Sequence, residues 1–181
     1  TVLRPARPNG ASLLLIPGGG YKWAVIDKEG LDCARVFAAA GITCFVLRYR
    51  LPGDGWAAGP DAPLQDAQRA MRLIRARAAD DGLDPARIAV LGASAGGHLA
   101  GLLTARPDPT YAPVDAADAD PFRPELSILL YPVATMTDPF VHAGSRAELL
   151  GPAPSADATT AYSLERMDWT GAPPTFLLHA L

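Results

Sequence analysis

The run Gly92-Ala93-Ser94-Ala95-Gly96 limits how this chain can fold more than any other stretch. It follows the apolar segment Ile88–Leu91 directly and leads into a segment of helical pattern, Ala95–Thr104. A serine with glycine at both ±2 positions and only alanine at ±1 is what a sharp strand-to-helix turn requires, because the two backbones nearly touch there. Such a turn leaves the hydroxyl standing at the carboxyl end of a strand, in front of a helix N-terminus that favours negative charge. The run is not a phosphate-binding loop. It lacks the G-x-G-x-x-G order of a dinucleotide site, and it lacks the G-K-[ST] ending of a P-loop. Ser94 therefore reads as a nucleophile for acyl transfer.

The rest of the chain places that turn in an alternating fold. Strands are expected at Ser12–Ile16, Thr43–Leu47, Ile88–Leu91, Leu126–Tyr131 and Thr175–His179. The first, Ser12–Ile16, is a continuous apolar run, as in a strand covered on both faces. Helices are expected at about Glu29–Ala40, closed by Gly41, at Leu64–Ala79 and at Ala95–Thr104. The stretches Pro52–Pro63 and Thr110–Pro124 read as loops. The long region Pro132–Pro173 reads as irregular and lid-like, with at least one short helix near Tyr162–Met167. Together these predict a single α/β domain over residues 1–181, with a mostly parallel sheet and helices on both faces. A sheet that ends on its last strand, with no helix after it, points to a missing C-terminal part.

Composition closes off other classes. The chain is 49% hydrophobic and 19% charged, too apolar for disorder. Its formal net charge is −3 and its basic residues do not cluster, which argues against a nucleic-acid partner. No apolar run approaches the ~20 residues of a membrane span. Two cysteines, Cys33 and Cys44, are too few for a disulfide scaffold or a four-ligand zinc site and read as two small buried thiols. No His, Cys, Asp and Glu set has metal-ligand spacing, and no cofactor is implied.

A second motif, Pro17-Gly18-Gly19-Gly20-Tyr21, follows the first strand. Consecutive glycines can turn backbone N–H groups toward a developing oxyanion with no side chain in the way. The two motifs, with Glu29-Gly30, Leu47–Pro52, Asp66–Ala70, Gly144–Arg146, Leu149–Gly151 and Pro173–His179, make the chain resemble the α/β-hydrolase-fold serine esterases of the acetyl esterase and acetyl xylan esterase group. The resemblance implies Ser94 as nucleophile and Gly19, Gly20 and Ala95 as the oxyanion-hole amides. It implies removal of small acyl groups, acetyl above all, from sugar or xylan-type esters. Where related lipases carry a histidine before the glycines, Pro17 stands here. The family's acid and histidine follow the strand that matches Thr175–His179, so neither is assigned, and the 181 residues alone are expected to be nearly inactive.

The three histidines fit other roles better. His98, four residues after Ser94, reads as a packing or polar-network residue. His142 reads as a loop residue and His179 as structural. Tyr21 and Trp23 are candidate substrate contacts, with core packing the alternative for both. Two rivals remain: a serine peptidase of the prolyl-oligopeptidase type, and a binding protein on the same fold without a complete triad. A plant-wall ester as natural substrate would imply export; oligomeric state and compartment are not readable.

Overall fold

The computed structural model describes residues 1–180. Six strands form one sheet: β1 (Val2–Leu3), β2 (Ser12–Ile16), β3 (Thr43–Val46), β4 (Ile88–Ala93), β5 (Leu126–Leu130) and β6 (Thr175–Leu178). Their order is β1-β3-β2-β4-β5-β6. All neighbours are parallel except β1, which runs antiparallel to β3. The expected mostly parallel sheet with helices on both faces is what the chain forms.

Alternate residues of the strands feed two cores. Leu14, Ile16, Ile88, Val90 and Leu129 face α2 (Ala62–Ala76) and α3 (Ala95–Ala105). Leu13, Leu15, Cys44, Val46 and Leu91 face α1 (Cys33–Ala39) through Ala34 and Phe37. Helix α2 buries Leu64, Ala67, Met71 and Ile74 at helical spacing and leaves Leu73 half in solvent. Every residue of α3 is buried, so this helix is packed on all sides, its polar His98 and Thr104 included.

The chain leaves β2 for β3 on one side, then returns across α2 to β4 on the other. The order therefore reverses between β2 and β4, and ligands of open parallel sheets bind at such a point, beyond the carboxyl ends of the strands. Register makes the meeting specific. Ile16 pairs with Gly92, and Ala93 pairs with Leu130. The residues after β2, β4 and β5 thus emerge side by side.

Three elements differ from the sequence expectation. The helix expected from Glu29 begins as a π-helical turn, Ile26–Asp32, and becomes α-helical only at Cys33. The region 132–173 is not simply irregular: it contains α4 (Ala143–Leu150) and α5 (Ala156–Ala161). The short helix near Tyr162–Met167 is a 3-10 turn, Leu164–Arg166. Helix α4 is capped by the His142 ring, which accepts from Ser145 N–H, and α5 by the Ser155 hydroxyl, which accepts from Ala158 N–H. Both cysteines are free thiols.

Candidate active site

Ser94 lies between β4 and α3 with φ 54° and ψ −121°. A serine at positive φ costs about 1–3 kcal/mol and persists only where packing enforces it. Here the enforcement is visible. A methyl group at Gly92 would collide with the carbonyl of Gly96, and one at Gly96 with the carbonyls of Ile16 and Pro17. Only glycine lets α3 start this close to the ends of β2 and β4. The backbone of Ser94 is fully engaged: its N–H donates to Leu130 O at 2.9 Å, and its carbonyl accepts from His98 and Val133 at 3.0 and 3.1 Å. The side chain is left half-buried at the sheet edge, where two clefts meet.

The glycine run arrives beside it. An ideal Cβ on Gly18 would stand 3.0 Å from Ser94 Cβ. Gly18 is held from both ends, its N–H donating to Glu29 Oε2 at 2.7 Å and its carbonyl accepting from Val25 N–H at 2.9 Å. Tyr49, buried, donates its hydroxyl to Pro17 O at 2.9 Å. Burial first, then the Glu29 carboxylate, raise the Tyr49 pKa and keep it a donor. Gly19 and Gly20 take φ of 126° and 66°. Their N–H groups and that of Ala95 donate to no protein acceptor among the described residues. Gly19 and Gly20 line one cleft with Ser94, whereas Ala95 is buried behind the serine in the first turn of α3.

The first cleft measures about 430 Å³ and is lined by Gly19, Gly20, Trp23, Glu29, Ser94, His142 and Glu148, among others. The second measures about 540 Å³ and runs from Ser94 past Tyr131, Val133 and Phe140 to His179. Both fall in the ~300–1,000 Å³ range of small-molecule sites. His142 lines both. The Trp23 indole is 56% exposed and faces the first cleft.

Tyr21, a candidate substrate contact from the sequence, lies instead in the core. It is 1% exposed, and its positive φ of 63° turns the side chain inward, away from the glycines that precede it. Its hydroxyl meets His98 Nδ1 at 2.6 Å, with the two rings edge to face. Burial holds the Tyr21 phenol well above its ordinary pKa.

None of the described histidines is arranged as a serine–histidine–carboxylate relay. His98 is fully buried. Its Nε2 donates to Tyr162 O at 2.6 Å, which leaves Nδ1 to accept from Tyr21. Burial brings its pKa down to about 4, so the ring is neutral at pH 7. In His142, Nδ1 accepts from Ser145 N–H at 3.1 Å and lies 2.9 Å from Ser145 Oγ, which puts the proton on Nε2. His179 has its Nδ1 2.9 Å from Ala180 O and no carboxylate partner on that nitrogen. Sequence reasoning missed Glu29 and Glu148 as cleft residues, because neither stands at a fixed spacing from Ser94.

A family model described as the alpha/beta hydrolase fold matches residues 13–179. Endo-1,4-beta-xylanase B of Butyrivibrio fibrisolvens is 35% identical over 171 residues, covering 91% of this chain and 26% of that protein. The acetylxylan esterase of Xylanibacter ruminicola is 32% identical over 148 residues, covering 81% and 28%. Among solved structures, an acetyl ester-xyloside bifunctional hydrolase from Caldicellulosiruptor lactoaceticus superposes with a TM-score of 0.83 at 34% identity, covering 97% of this chain and 62% of that one. Esterase 2 of Thermogutta terrifontis, phosphonylated by cyclosarin, gives 0.76 at 26% identity, covering 97% and 63%. The chain spans about a quarter of the length of these two curated relatives.

Proposed function

This chain belongs to the alpha/beta-hydrolase fold family, and on that premise we propose that it is a serine carboxylic-ester hydrolase acting on small acyl groups, chiefly acetyl, carried by sugar or xylan-type alcohols. One observation carries the proposal: a strained serine at the end of β4, packed beside a glycine loop whose amides are not used elsewhere. A binding protein has no need of a backbone conformation that costs stability; a nucleophile does. The acyl group and the alcohol are read from the relatives, one of them an acetylxylan esterase and another an acetyl ester-xyloside hydrolase. These matches lend no support to the peptidase rival.

In this reading Ser94 Oγ attacks the ester carbonyl carbon and gives up its proton to a general base. The carbonyl oxygen gains the negative charge and takes hydrogen bonds from Gly19, Gly20 and Ala95 N–H. Collapse of the tetrahedral intermediate breaks the bond to the alcohol oxygen, which leaves with a proton returned by the base. Water then attacks the acyl-serine, releasing the acid and restoring Ser94. The general base is assigned to none of the described residues. Trp23 is a substrate contact in the first cleft; Tyr21, in the core, is not.

The full-length protein is expected to hydrolyse p-nitrophenyl acetate. Ser94→Ala is expected to reduce kcat by at least about 10⁴-fold. Equal rates for the two proteins would refute the assignment.

A further inference from the structure

Glu29 is the carboxylate that bonds the glycine loop beside Ser94. Its Oε2 is 2.7 Å from Gly18 N, and the ideal Cβ of Gly18 would lie 2.7 Å from that oxygen and 3.0 Å from Ser94 Cβ. The carboxylate and the serine thus flank the same α-carbon. The segment presenting Glu29 cannot retreat: the π-helical turn Ile26–Asp32 is tied to the glycine loop through Val25 N–H and Gly18 O, and a Cβ on Gly30 would meet Val46 Cγ1 at 2.6 Å and Pro17 Cγ at 3.3 Å. π-Helical turns of this kind are rare and gather at functional sites. Tyr131, the residue after β5, is the nearby phenol: its pKa is raised, first by partial burial and then by the charges of the Glu29 and Cys33 side chains. No arginine or lysine forms an ion pair with Glu29 among the described residues.

A lone carboxylate here opposes an oxyanion by charge, so its value must lie in what it holds. We propose that Glu29 is a positioning residue: by accepting the Gly18 N–H it fixes the peptide ahead of Gly19 and aims the Gly19 and Gly20 amides at the oxygen above Ser94. It also occupies the Gly18 amide and leaves those of Gly19 and Gly20 unpaired among the described residues. The proposal rests on the esterase reading for its consequence, but not for the contact itself.

The test compares Glu29→Ala, Glu29→Gln and Glu29→Asp in the full-length protein, with active sites counted by fluorophosphonate titration. Per titrated site, Glu29→Ala is expected to lower kcat about 10–100-fold on p-nitrophenyl acetate, with KM changed less than about twofold. Glu29→Gln, which keeps an acceptor at the same reach, should recover most of the rate; Glu29→Asp, one methylene short, should not. Wild-type kcat in Glu29→Ala, or no recovery in Glu29→Gln, would overturn the proposal, because a general structural role would lower the number of active sites and not the rate at each. The ¹H shift of the Gly18 amide, measured without substrate, separates this from the esterase reading. It should move upfield in Glu29→Ala and stay near wild type in Glu29→Gln. An unmoved Gly18 amide overturns the positioning role even in an active esterase, and an inactive wild type whose Gly18 amide does move refutes the esterase reading alone.

Discussion

On one side of Ser94 the loop Pro17–Gly20 is bonded at nearly every step: Pro17 O to Tyr49, Gly18 to Glu29 and Val25, Gly19 O to Lys22 and Trp23 N–H. On the other side, Pro132, Val133 and Met136 after β5 are buried, but Tyr131, Phe140 and strand β6 are exposed among the described residues. Tyr131 is 46% exposed, Phe140 86%, and Phe176, Leu177 and Leu178 each more than half. The difference teaches which part of the chemistry these residues can pre-organise. Stabilising an oxyanion needs fixed dipoles, and the glycine side supplies rigid backbone already aimed by tertiary contacts. Proton transfer needs a histidine oriented by a partner, and among the described residues neither His142 nor His179 has a carboxylate on its ring.

That contrast can be broken from the packed side first. Gly18→Ala would place a methyl group 2.7 Å from both Ala93 O and Glu29 Oε2, and 3.0 Å from Ser94 Cβ. Its kcat should fall about 100-fold as the amides are displaced, with a lowered Tm. A kcat within twofold of wild type would show that the loop is not rigidly held.

The next effect is in pH. His98 is neutral in the fold, with its pKa brought from 6.5 down to about 4 by burial, while the unfolded chain protonates it near 6.5. Stability from this group is therefore whole above pH 6.5 and declines as pH falls toward 4, by about 2 kcal/mol between pH 7.5 and 5. Urea unfolding at the two pH values should show that loss, and His98→Gln should remove most of it. A flat wild-type profile would mean the His98–Tyr21 contact is not buried in solution.

Smaller effects sharpen the comparison. Trp23→Ala, at the mouth of the first cleft, should raise KM about fivefold, the worth of roughly 1 kcal/mol of aromatic contact, and leave kcat within about twofold. An unchanged KM would take Trp23 out of the substrate's path. Phe140→Ala, on the open side, should alter the free energy of unfolding by less than about 0.5 kcal/mol. A loss above 2 kcal/mol would show that this flank is packed after all.

What could be read from the sequence follows from where the physics is local. The five strands β2 to β6 are apolar runs bounded by glycine and proline; in β2 burial on both faces leaves that mark directly, whereas β6 carries the same pattern with every side chain exposed. Strand β1 has only Val2 and Leu3 and exists by pairing with Phe45 and Cys44, which no local pattern announces. Helices α4 and α5 are short and only weakly apolar, and their clearest signals are the caps His142 and Ser155, one of them an unusual capping residue. The turn at Ser94 is legible because Gly92 and Gly96 are demanded by backbone collisions. Tyr21 is misjudged because its direction depends on a positive φ, and Glu29 is overlooked because its link to Gly18 crosses eleven residues through a rare π-helical turn.

The central claim is the reactivity of one hydroxyl. Full-length protein treated with a fluorophosphonate and digested for mass spectrometry should carry a single phosphonyl adduct on the peptide containing Ser94, with ester turnover falling in step with labelling. An unlabelled protein, or an adduct elsewhere with Ser94 untouched and turnover lost, would contradict it.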